Sequence, residues 1–151
     1  MGADDPKVSH PIPGSHAPTG SAPQADLRPL VTLHAFADPT VFPVLRKMAA
    51  AAARALGASM LEAADVELSI GEALANVYLH AYGRRPGPVA ISIDFDGIAF
   101  TISVRDEGRG APDPVEMRRG LSLLQELTDG VALSAAPDGT GAVLRITRRL
   151  G

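Results

Sequence analysis

The sequence predicts an α+β fold, a two-layer sandwich in which helices cover one face of a mixed, mostly antiparallel sheet. Three observations lead there. Residues 65–82 read as one long amphipathic helix, free of Pro and with Gly71 as its single Gly. Two alternating apolar runs, 89–95 and 98–104, flank Asp96-Gly97, a dipeptide suited to a tight hairpin turn. The elements also follow one another as strand, helix, helix, two strands, helix, two strands. That order joins most neighbouring strands by short turns rather than helical crossovers.

Each element has its own signal. Residues 1–27 are rich in Pro, Gly, Ser, Ala and Asp and nearly devoid of large apolar side chains. Such a segment cannot bury enough surface to offset its ordering entropy, so a disordered tail is expected there and a folded domain over 28–151. Leu30–Phe36 alternates as a strand. Asp38 is the expected N-cap, and Pro39 the first position, of a helix that runs to Leu56 and stops at Gly57. Ser59 begins the long helix, which ends at Gly83, and Arg84–Pro88 is turn chemistry. Residues 106–119 hold Gly108, Gly110, Pro112 and Pro114, so they are expected as loop with at most a helical turn near Pro114. A short helix over Gly120–Thr128 follows, then strands Val131–Ala135 and Ala142–Arg148 joined through Asp138-Gly139-Thr140-Gly141.

Composition narrows the function classes. Hydrophobic residues make up 46% of the chain and charged residues 21%, the balance of a soluble globular domain. A net charge of −3 argues against nucleic acid as the main partner, because neutralising phosphates needs a basic face. Cys is absent, which excludes disulfides, thiolate metal sites and cysteine nucleophiles and agrees with a cytoplasmic location. No apolar run approaches the ~18 residues that span a bilayer, and the N-terminus lacks a secretory pattern, so no membrane association is expected.

The long helix carries two faces. At about 100° per residue, Val66, Ile70, Ala73, Leu74, Val77 and Ala81 form one apolar arc. Asp65, Ser69, Glu72, Asn76 and His80 form a narrower polar stripe, flanked by Leu68, Ala75 and Leu79 instead of Lys and Arg. A carboxylate and a carboxamide one turn apart with apolar neighbours fit the floor of a pocket. They also fit an ordinary solvated face, and the spacing alone does not separate the two readings.

Four blocks in fixed order separate them. Leu68–Tyr82 resembles the N box of the GHKL (Bergerat-fold, histidine-kinase-like) ATPases, and Val104–Gly110 resembles their first glycine box. Arg119–Asp129 resembles the second glycine box, and Asp138–Ile146 the closing Gly-Thr hairpin. Within that family the chain is most similar to the anti-sigma-factor serine/threonine kinases of partner-switching systems. The resemblance implies ATP and Mg2+ as cofactors, with Asn76 on the magnesium ion, where a hard cation takes oxygen ligands. It implies Glu72 as general base, Asp106 on the adenine amino group, and Gly108 and Gly110 as points of close backbone approach. It further implies that Gly120, Leu121 and Ser122 open a helix whose free N–H groups bind phosphate, and that Thr140 lies near the adenine. His80 is placed at the phosphates or a water, with a structural role as the equal alternative. The implied partners are a STAS-type anti-anti-sigma protein, which is phosphorylated, and a sigma factor, which is sequestered. A homodimer through the first strand and helix is expected on the same ground. The sequence departs from the family pattern at Gly71, at Ser122 and in the nine residues between Gly110 and Gly120, where many relatives carry a longer lid. Those departures motivate a second reading, a non-catalytic or weakly nucleotide-binding module that regulates a partner by binding it.

Overall fold

The computed structural model describes residues 29–109 and 114–151; the tail expected over 1–27 lies outside them. The elements are β1 (Val31–Phe36), α1 (Phe42–Ala55), α2 (Met60–Asn76), β2 (Pro88–Phe95), β3 (Ala99–Asp106), α3 (Pro114–Leu127), β4 (Gly130–Ala135) and β5 (Ala142–Arg149). A π-helical segment, Val77–Ala81, continues α2. The five strands form one sheet in the order β1-β2-β3-β5-β4. Every neighbouring pair is antiparallel, so among the described strands the sheet is not mixed.

Strand alternation decides which face the helices cover. Val89, Ile91 and Ile93 of β2, Phe100, Ile102 and Val104 of β3, and Leu144 and Ile146 of β5 are buried against them. They meet Leu45, Ala49 and Ala53 of α1 and Val66, Ile70, Ala73 and Leu74 of α2 in one core. Fully burying a side chain such as Ile70 or Leu74 stabilises the fold by roughly 1.5–3 kcal/mol. The apolar arc read on the long helix is therefore its core face.

Two boundaries differ from the sequence expectation. The first helix begins at Phe42 rather than Pro39, with Pro43 in its first turn. Asp38 explains the delay: its Oδ1 accepts both the N–H and the hydroxyl of Thr40, at 2.9 and 2.8 Å, and closes a turn of its own. The third helix begins at Pro114, so the loop expected as far as residue 119 is helical from there. Pro suits a helix start, since its fixed φ is already helical and its missing N–H has no intrahelical acceptor there. Ser59 does begin α2. It accepts the Glu62 N–H while the Glu62 carboxylate accepts the Ser59 N–H, a closed capping box.

Candidate functional site

Where the C-terminal end of α2 faces the ends of β3 and β5, the structure leaves a cavity of about 570 Å³. Both walls follow from local rules. On β3, Phe100, Ile102 and Val104 alternate inward, and Asp106 continues the same phase. A carboxylate thus arrives on the core side of the sheet, where apolar packing ends and the cavity begins. Its Oδ1 accepts the Gly108 N–H at 2.9 Å and the Ala142 N–H at 3.3 Å. Burial pushes the Asp106 pKa above the ordinary 3.8, and those two amides hold it back in part. Among the described residues Oδ2 has no hydrogen-bond partner.

Two glycines bring the backbone close. A Cβ at Gly108 would stand 2.3 Å from the Ala81 carbonyl oxygen, and one at Gly141, whose φ is 78°, would stand 2.0 Å from that of Asp106. No side chain fits at either position. The β4–β5 turn is tied to the same strand end. Arg105 pairs with Asp138 at 2.5 Å, and the Asp138 carboxylate also accepts the Thr140 N–H at 3.0 Å. Arg105 is thereby the link that places Thr140 on the cavity.

The helix wall is built on α2 and its π-helical continuation. The Tyr82 N–H bonds the Val77 carbonyl five residues back, at 3.1 Å. The wider turn keeps Val77 buried while Asn76, His80 and Ala81 reach the cavity. The polar stripe splits along its length. Asp65 pairs with Arg148 of β5 at 3.0 Å, and the Ser69 hydroxyl donates to the Asp65 carbonyl inside the fold. Asn76 and Glu72 make no side-chain hydrogen bond or ion pair among the described residues.

Of the residues the sequence grouped, Asn76, His80, Asp106, Gly108, Leu121 and Thr140 line this cavity. Glu72 lies one turn before Asn76 and is not among the lining residues. Gly110 lies outside the described residues. Gly120, Leu121 and Ser122 do not open a helix: α3 starts at Pro114, so their amides belong to its interior and the free helix start is elsewhere. Leu121 reaches the cavity through its side chain, and Ser122 is exposed and does not line it. Sequence reasoning missed Arg109, Leu133 and Ala142 as lining residues, and it missed Tyr82 behind them. Arg109 had a local signal, its place between the glycines of the Asp106 loop. The others come together only through the sheet.

Residues 36–148 match the histidine kinase-like ATPase domain. The chain belongs to that family. Among the relatives of this histidine kinase-like ATPase domain is an anti-sigma F factor of Thermoanaerobacter sp. (strain X514), 29% identical over 120 residues that cover 70% of this chain and 83% of the relative. The anti-sigma F factor of Bacillus subtilis (strain 168) is 26% identical over 110 residues, covering 63% and 75%. The fold resembles the crystal structure of the RsbU and RsbW domains of Rv1364c from Mycobacterium tuberculosis, with a TM-score of 0.58 and 22% identity. That match covers 80% of this chain and 32% of the solved one. No helix among the described residues is long and apolar enough to cross a membrane.

Proposed function

We propose that this histidine kinase-like ATPase domain is an ATP-binding serine/threonine protein kinase of the anti-sigma-factor type. It phosphorylates a STAS-type anti-anti-sigma protein and, in its other state, sequesters a sigma factor. One observation supports the reading: Asn76 and Asp106 line the same cavity from opposite walls, each with an oxygen that no other described residue engages. The anti-sigma F factor relatives support the choice of partners.

The residues fit an adenine nucleotide and its metal. Asp106 Oδ2 accepts the exocyclic amine of the base, and Gly108 and Gly141 let the chain segments around it pack closely enough to hold Asp106 in place. The Asn76 carboxamide oxygen suits a magnesium ion. No three His, Cys, Asp or Glu side chains among the described residues could hold a metal together, so a magnesium ion on Asn76 would take its remaining ligands from phosphates and water. When bound, the ion neutralises charge on the transferred phosphoryl group. Glu72, outside the cavity and beside exposed Leu68 and Leu79, meets the hydroxyl of a second protein rather than the nucleotide. It takes the hydroxyl proton as the oxygen attacks the γ-phosphorus and the bond to the β-phosphate oxygen breaks. A homodimer and a cytoplasmic location belong to the same proposal.

Purified protein incubated with labelled ATP and a panel of STAS proteins tests the reading. Transfer to a Ser or Thr of one of them is expected. Folded protein that labels none of them contradicts it. The position of Gly120–Ser122 inside α3 favours a second reading, a partner-binding module with weak nucleotide affinity. A calorimetric titration without heat up to millimolar Mg-ADP would select that one.

A further inference from the structure

The two strands that present Asp106 separate around a side chain from the helix layer. In the β2–β3 register Val89 faces Asp106, so the next rung would set Pro88 against Glu107. The Tyr82 hydroxyl occupies that rung. It donates to the Pro88 carbonyl and accepts the Glu107 N–H at 2.8 Å. Burial pushes the Tyr82 phenol above its ordinary range, so it stays a neutral donor. Its ring lies on Gly87, where a Cβ would come within 2.5 Å of Cδ1, Cε1 and Cζ. The backbone of Tyr82 is held by the π-helical turn through its bond to Val77.

The consequence lies one residue further on. β3 stops at Asp106, the chain runs off β2 at Glu107, and Gly108 packs on the Ala81 carbonyl with no room for a Cβ. From there the Gly108 N–H holds Asp106 Oδ1. Oδ2 is then the oxygen left for a ligand. We propose that Tyr82 is a positioning residue that sets which base the cavity accepts, because its hydroxyl, inserted between Pro88 and Glu107, fixes the turn that aims Asp106. The inference rests on the adenine-nucleotide reading of the cavity and names a residue on which its base specificity depends.

The test compares Mg-ADP with Mg-IDP, whose base carries a carbonyl in place of the exocyclic amine. Titrations are run on the unmodified chain, on Tyr82→Phe and on Asp106→Ala. The unmodified chain is expected to prefer ADP, and Asp106→Ala to lose that preference. Tyr82→Phe keeps the ring on Gly87 and removes only the hydroxyl. It is expected to weaken ADP by about tenfold, the size of one charge-assisted hydrogen bond, with IDP nearly unchanged. Should Tyr82→Phe fail to fold, hydrogen exchange on the unmodified chain reads the same coupling. Mg-ADP is then expected to protect the Glu107 and Gly108 amides more than Mg-IDP at equal saturation. Asp106→Ala losing the preference while Tyr82→Phe keeps it in full, or equal protection by the two nucleotides, overturns the role of Tyr82 alone. An unmodified chain that binds both nucleotides equally, or neither, overturns the adenine reading and this inference with it.

Discussion

The two walls of the cavity are built by opposite means. The sheet wall is over-determined: Asp106 Oδ1 takes two backbone amides, Gly108 and Gly141 sit where no Cβ fits, and Arg105–Asp138 ties the strand end to the turn. The helix wall is anchored by its core face and, away from the cavity, by the Asp65–Arg148 pair, while Asn76 on the cavity and Glu72 one turn before it have no side-chain partner among the described residues. A wall whose framework is already tied down can read a rigid, planar ligand with little reorganisation. Side chains with no partner are available for ligands whose position changes during a reaction, such as phosphate, metal or an incoming hydroxyl. In the proposed reading, base recognition belongs to the sheet and chemistry to the helix.

Substitutions on each wall should fail in different ways. Glu72→Gln carries the largest expected effect, a loss of about 10²–10⁴ in the transfer rate, the usual contribution of a positioned base. Melting temperature and Mg-ADP affinity should stay near those of the unmodified chain. A parallel loss of affinity would move Glu72 into the nucleotide site and dissolve the contrast. Gly141→Ala attacks the other wall. Its Cβ would meet the Asp106 carbonyl at 2.0 Å from a backbone with positive φ, so a loss of about 3 kcal/mol in stability is expected by denaturant titration.

Asp106→Asn separates stability from binding on the sheet wall itself. The Asp106 pKa is raised in the folded chain, so its contribution to stability is present below the unfolded value and lost as pH rises through the folded one. Once ionised, the buried carboxylate disfavours folding, whereas an Asn oxygen can still accept the two amides. Asp106→Asn should then melt at or above the unmodified chain at neutral pH while losing Mg-ADP affinity by at least about tenfold. Affinity of the unmodified chain should fall on acidification from a pH above 3.8, as the carboxyl takes up the proton that the base amine needs it to lack. The smallest effect is expected far from both walls. Ser59→Ala opens the capping box of α2 and should lower stability by about 1 kcal/mol with binding unchanged.

Much of this contrast could be read before the fold was known, and the limits have physical reasons. Period-two alternation through Phe100, Ile102 and Val104 fixed the inward side of β3, and Asp106 falls in the same phase. The helical arc through Val66, Ile70 and Leu74 fixed the core side of α2. Neither pattern separates members of one polar stripe, because Ser69 turns back on Asp65 and Asp65 finds Arg148 only in the folded sheet. The start of α3 was hidden because Pro114 signals a loop and a helix start equally well. The insertion of Tyr82 between Pro88 and Glu107 has no local signal, since it joins three segments that meet only once the sheet has formed.

Calorimetric titration of Mg-ADP into the unmodified chain, Asn76→Ala and Asp106→Ala tests the shared cavity most directly. The account predicts saturable binding by the unmodified chain and strong loss in both variants, with only Asn76→Ala insensitive to removal of magnesium. Nucleotide binding that survives both substitutions would place the ligand elsewhere and contradict the two-walled site.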